Sequence, residues 1–244
     1  MGFALVGFIL LLVVPVLLAH LLSGMHRSAS RYHWLAMEEE LSLEPEVAYK
    51  TAQVIVAADG RSAMLSGVTE GRAYHADEDA ACKRPDCTPP GLDCVCGFYA
   101  FRARREAENM IGRTLSYYGV RPTALLTVEL DGEVLEYERG FRAAHQRVVG
   151  VEFTLGCDMC ERFGGRSDAV ALAASATFVA RRLTGLGRPT VRLPEGYLPV
   201  RPVCEVHLPQ DEGSWVLDPG ELGFLLGANV RWMSPPGHAG VAAA

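Results

Sequence analysis

Seven cysteines, confined to two blocks, constrain this chain more than any other feature. Cys82, Cys87, Cys94 and Cys96 lie within CKRPDCTPPGLDCVC. Cys157-Asp-Met-Cys160 and Cys204-Glu-Val-His207 make up the second block. Four soft or borderline ligands in a tetrahedron are what zinc requires. A C-x-x-C turn aims two thiolates at one point, and a second such pair from far along the chain completes the set. Cys157, Cys160, Cys204 and His207 have that form. The first block has spacings of four, six and one, and its four cysteines make a set without help. His75 is an alternative ligand there or a surface histidine, and the latter is favoured. The expectation is therefore two zinc sites with eight protein ligands.

An odd number of cysteines cannot all pair within one chain. A division into four cysteines, and three with one histidine, uses every one of them. In an oxidising compartment the alternative is two disulfides in the first block and one between Cys157 and Cys160, leaving Cys204 free. An iron–sulfur cluster fits the ligand count of the first block but neither ferredoxin spacing. Cys157-Asp-Met-Cys160 also has the form of a redox pair, although no preceding βαβ unit and no immediate helix accompany it.

The run from Phe3 to Leu22 is almost wholly apolar and long enough to span a bilayer as a helix. It lacks the basic n-region and small-x-small site of a cleaved signal peptide. No Lys or Arg precedes it, whereas Arg27 and Arg31 follow, which places the remainder in the cytoplasm by the positive-inside rule. A reducing cytoplasm disfavours disulfides. The expected organisation is a transmembrane anchor over residues 3–23, a juxtamembrane helix over 24–44, a metal-binding domain over 45–233 and a disordered tail over 234–244. The expected fold is α+β: a transmembrane helix, then a strand-rich domain with two main helices and zinc-binding loops.

Within that domain Glu46–Ala57, Met64–Val68, Arg72–His75 and Arg147–Thr154 read as strands. Leu125–Leu130 and Glu133–Phe141 read as a hairpin turning at Asp131-Gly132. Apolar residues from Ala103 to Tyr118 recur at helical spacing. A second helix is expected from Ser167 or Asp168 to about Leu183. The segment Val191–Val203 reads as extended and delivers Cys204.

A formal net charge of -6 gives no general attraction to nucleic acid. No H-E-x-x-H, G-x-S-x-G or P-loop is present, and no carboxylate pair suggests acid–base work. The expected partners are the lipid bilayer and a protein, in a binding or scaffolding role. The competing class is a thiol-redox or metal-dependent enzyme using Cys157 and Cys160.

Two stretches carry a resemblance. Asp93-Cys94-Val95-Cys96-Gly97-Phe98-Tyr99-Ala100 and the segment from Val134 to Ala143 (VLEYERGFRA) together resemble uncharacterised bacterial proteins with a C-x-C-G-[IFLV]-Y-A motif followed by a V-x-E-x-E-R-G-[YF]-R-A strand. The resemblance covers about residues 70 to 160. It implies a shared fold and metal site, with no known activity.

Overall fold

A computed structural model describes residues 45–67, 72–111, 122–178, 193–209 and 213–233. The expected anchor over 3–23, the helix over 24–44 and the tail over 234–244 lie outside the described residues. Among the described residues no helix is long and apolar enough to cross a membrane. The expected single-pass membrane protein of α+β class is corrected accordingly: what is described is a strand-rich domain with three short helices.

Eleven strands form one connected sheet system. Three long strands frame it: β1 (Glu46–Ala57), β6 (Ala124–Tyr137) and β7 (Gly140–Phe153). The second half of β1, AQVIVA, is almost continuously buried, as expected for a strand covered on both faces. One edge of β1 pairs with β6 from Glu46 to Ala52, then with β9 (Tyr197–Val203) from Ile55 to Ala57. Its other edge meets β2 (Ala63–Gly67) and, at Tyr49, β5 (Phe98–Phe101). Strand β7 pairs with β6 along one edge. Its other edge takes β5, then β4 (Asp77–Asp79), then, in parallel, β11 (Asn229–Trp232). The pairings β1–β6–β7–β5–β1 thus return to their starting point, and a sheet closed on itself leaves few open edges. The short β3 (Ala73–Tyr74) pairs with β2. Val54, Leu65, Leu126, Val128, Phe141 and Phe153 belong to one apolar core.

A smaller antiparallel wing consists of β10 (Trp215–Leu217), β8 (Ala171–Ala174) and β9. Because β9 pairs with β1 at its start and with β8 at its end, it joins the wing to the main sheet.

Two expectations for helices and one for a turn are revised. The helix expected from Ala103 to Tyr118 is described only as α1 (Arg104–Glu108) and a following turn, residues 112–121 lying outside the described ones. Of the helix expected from Ser167 to about Leu183, the described part is instead β8 and a single 3₁₀ turn, Ala176–Phe178, residues 179–183 lying outside the described ones. An Ala-rich apolar run favours a helix by propensity, but its burial between β9 and β10 decides for strand. Asp131-Gly132 does not end a strand. The pairing of β6 with β7 passes through it with a register shift, Gly132 supplying a positive φ of 74°, and the chain reverses at Glu138-Arg139. Positive φ serves a bulge as well as a hairpin turn. Gly140, just past the reversal, touches β5 so closely that an added Cβ would lie 2.1 Å from the Ala100 carbonyl oxygen.

Helix α2 (Asp158–Arg162) starts just after Cys157 and contains Cys160, and α3 (Pro219–Leu226) covers the sheet. The latter starts with an Asp218 side chain accepting from the Gly220 N–H at 2.7 Å and Pro219 in the first turn, and it stops at Gly227 in the left-handed conformation. Leu222 and Leu226 face the core.

Glu152 ties three elements together. Its buried carboxylate accepts two hydrogen bonds from Arg104 and one from Arg231, each at 2.8 Å. The Arg104 guanidinium first, and Arg231 after it, outweigh burial and hold the carboxyl down to about 2. A carboxyl group depressed on folding stabilises the protein above its unfolded value, roughly 4.3, and the contribution fades as pH falls through the folded value. After screening at the two partly exposed arginines, the contribution is about 2–3 kcal/mol at neutral pH. Glu152→Gln is expected to lose that amount at pH 7 and to converge on the parent protein near pH 2. Urea denaturation of both chains across this range measures the gap, and a gap independent of pH would contradict the assignment.

Candidate metal centres

Two sets of four side chains converge: Cys82, Cys87, Cys94 and Cys96, and Cys157, Cys160, Cys204 and His207. In each set the ligand atoms lie within 4.8 Å of one another. These groups can hold metal ions. All eight residues singled out by spacing are therefore brought together in the expected partition. His75 is exposed and outside both sets; its backbone N–H donates to the Glu78 carboxylate at 2.7 Å.

The four-cysteine centre occupies the loop between β4 and β5. Proline and glycine residues keep this loop irregular and bring its turns close together. A Cβ on Gly91 would sit 2.6 Å from the Cys87 sulfur, so the close approach there requires glycine. The sulfurs of Cys82 and Cys94 are 3.5 Å apart, and those of Cys87 and Cys96 are 3.4 Å apart. Backbone N–H groups of Arg84 and Gly91 point at the sulfurs of Cys82 and Cys96 at 3.4 and 3.3 Å. Such donors favour thiolates. Four thiols this close do not ionise alike. The hydrogen bond with Cys96 is the main influence pushing Cys87 up to about 12, whereas the Cys96 backbone N–H, then Cys82, bring Cys94 down to about 7.

The second centre is assembled from three places. Cys157 immediately precedes α2, and Cys160 is one turn further on. Cys204 follows β9, and His207 closes a 3₁₀ turn over Glu205–His207, whose backbone N–H donates to the Cys204 carbonyl at 2.9 Å. The Nδ1 of His207 lies 3.5, 3.4 and 3.4 Å from the sulfurs of Cys157, Cys160 and Cys204, and the last two sulfurs are 3.8 Å apart. Burial pushes the Cys160 thiol up to about 12, with Cys204 adding to it. Burial acts on Cys204 in the same direction, but hydrogen bonds with His207 and Ser167 reverse it and leave this thiol at about 6.

These separations fit a metal and not disulfides. A tetrahedron with bonds of about 2.0–2.3 Å has ligand–ligand edges of about 3.3–3.8 Å, whereas a disulfide needs sulfurs about 2.05 Å apart. None of the seven cysteines is joined in a disulfide.

Sequence reasoning missed the residues that brace the ligands. Asp158, inside the C-x-x-C, is 4% exposed and Arg201, three residues before Cys204, is 3% exposed. They form a buried ion pair, and Arg201 also donates to the Phe178 carbonyl at 3.2 Å. Arg162 reaches the same Asp158 oxygen at 3.1 Å. Ser167, read as a helix cap, instead serves Cys204. The two stretches that carry the bacterial resemblance lie side by side: Phe98, Tyr99 and Ala100 pair with Ala143, Arg142 and Phe141. A polar residue inside an apolar strand, as Arg201 is in YLPVRPV, was the available signal.

Comparison of the chain with family models, with curated proteins and with solved structures finds no match in any of the three.

Proposed function

We propose that this protein is a binding or scaffolding module whose β-domain is held by two structural zinc ions, one at Cys82, Cys87, Cys94 and Cys96, the other at Cys157, Cys160, Cys204 and His207. The observation that carries the reading is that each set brings four protein ligands within 4.8 Å of one another, with its nearest pairs at the spacing of tetrahedral edges. A closed four-ligand site leaves no position for the water or substrate that a catalytic zinc requires. Ligands composed of thiolates and one imidazole suit zinc among the common divalent ions. When bound, zinc would act as a cross-link between loops.

A binding role is supported by what those loops present. Phe163, just past α2, is 80% exposed, and Val206, between the ligands Cys204 and His207, is 86% exposed. Zinc at this centre would fix both apolar side chains on short, braced turns. A protein partner with an apolar contact surface is the interactor this suits.

Metal analysis of the purified chain tests the reading. Two zinc ions per chain are expected, with no thiol reacting with a mild labelling reagent until a chelator is added. Zinc at or below one per chain, together with a reversible Cys157–Cys160 disulfide, would instead favour the thiol-redox enzyme.

A further inference from the structure

Arg142 is buried beside the four-cysteine centre and, among the described residues, forms no ion pair. It lies on β7, paired with Tyr99 of β5, and is 3% exposed. Its Nη1 donates to the carbonyl oxygen of Cys94, and its Nε is buried with no hydrogen-bond partner. Among the described residues no carboxylate lies within ion-pair distance of it. The contrast with the other centre is direct, since the buried Arg201 there has Asp158. An arginine does not shed its proton to escape burial, and a buried charge is retained only when something compensates it. The rings of Tyr99 and Tyr137, each 5.9 Å from the guanidinium carbon, recover part of the loss. A neutral carbonyl recovers another part. Neither is an anion.

Four thiolates around one divalent cation carry a net charge of about -2. We propose that Arg142 is the buried counter-charge of the centre formed by Cys82, Cys87, Cys94 and Cys96, and that it raises the affinity of this centre for a divalent metal. The inference rests on the metal reading above. The packing around the arginine is tight on the side of the ligands. A Cβ on Gly97, the residue after Cys96, would lie 2.8 Å from the Arg142 Cγ, and Gly97 has a φ of 113° that other residues rarely adopt. Tyr99 adds a second hold on the C-x-C segment, its hydroxyl donating to the Val95 carbonyl at 3.1 Å. The guanidinium and the phenol therefore grip consecutive carbonyls, Cys94 and Val95, between two ligands. Arg142 is a positioning residue that acts through the ligands and their backbone, as outer-shell groups do in other metal sites.

Zinc affinity of each centre, measured on the full chain by competition with a chromophoric chelator, tests the proposal. Cobalt(II) substitution tells the centres apart, because a four-sulfur and a three-sulfur, one-nitrogen environment absorb at different wavelengths. Arg142→Gln is expected to weaken zinc at the four-cysteine centre by about 10–100-fold and to leave the other centre unchanged. Arg142→Lys, which keeps the charge and loses the forked geometry, is expected to recover most of that loss. Equal weakening by Gln and Lys would assign the effect to packing and overturn the proposal. So would unchanged affinity in the Gln variant. If the Gln variant does not fold, the Lys variant decides alone: near-parental affinity supports the counter-charge and a tenfold loss overturns it. Failure of the parent chain to bind any metal at these four cysteines would be a different result. It would overturn the metal reading, and this proposal with it.

Discussion

Replacing Cys204 with serine is expected to abolish metal binding at the three-cysteine centre and to unfold the wing formed by β8, β9 and β10. The apparent binding free energy of a structural zinc ion is roughly 10–16 kcal/mol at neutral pH. The whole stability of an ordinary domain is about 5–15 kcal/mol. Losing one ligand of four therefore removes a contribution as large as the fold's own margin. The effect should be local because of where the centre sits. Cys204 follows directly on β9, which among the described residues is the wing strand that pairs with β1. Strands β6 and β7 pair over their whole lengths and do not depend on that centre. Hydrogen exchange separates the two regions. Amides of Leu172–Ala174 and Val200–Val203 should lose protection in Cys204→Ser, while those of Leu125–Leu130 keep it. Parental protection in β8 and β9 would show that the proposed zinc does not hold the wing.

Arg201→Ala is expected to destabilise the protein by about 3–5 kcal/mol even with metal in excess, because it leaves the Asp158 carboxylate buried without its main partner. Arg162 approaches the same oxygen at 3.1 Å and would relieve part of the cost. The penalty belongs to the stranded charge more than to the bond. The double variant Asp158→Leu with Arg201→Met, which removes both charges and keeps apolar bulk, should regain at least half of the loss. Urea denaturation of the single and double variants measures both quantities. A single-variant cost below about 1 kcal/mol would mean that Asp158 and Arg201 are not the brace between α2 and β9.

The candidate metal ligands were legible because ligand geometry is written in short spacings. Two thiolates three residues apart on a turn must converge, and the partition of seven cysteines and His207 followed from counting. Strand β1 was legible from Glu46 to Ala57 because its Val, Ile and Thr have few alternatives. The run from Ala171 was not. Alanine and leucine favour a helix in isolation, and only the neighbours β9 and β10, remote in sequence, make it a strand. Asp131-Gly132 misled for a related reason. Its backbone conformation was correctly expected to be left-handed at Gly132, but whether that conformation ends a strand or bulges it is decided by the partner strand. Arg201 was marked only by standing among the apolar residues of YLPVRPV, and that does not reveal its partner Asp158; Arg142, in the mixed sequence GFRAAHQ, had no such mark.

The two centres differ in how far along the chain their ligands must travel to meet, and this bears on the order of folding. In the four-cysteine centre the paired sulfurs are 9 and 12 residues apart. A loop of that length closes in roughly 10–100 ns, long before any long-range strand pairing. The other centre must bring His207 to ligands 47 and 50 residues upstream. Its ligands flank β8 and β9, so its closure spans the part of the chain that forms the wing. An ion held first by Cys157 and Cys160 would wait half-coordinated through the slow part of assembly, and its capture by Cys204 and His207 would mark the end of it. On the proposed metal reading, one centre would be an early, local clasp and the other a late lock that registers whether the rest of the chain has arrived.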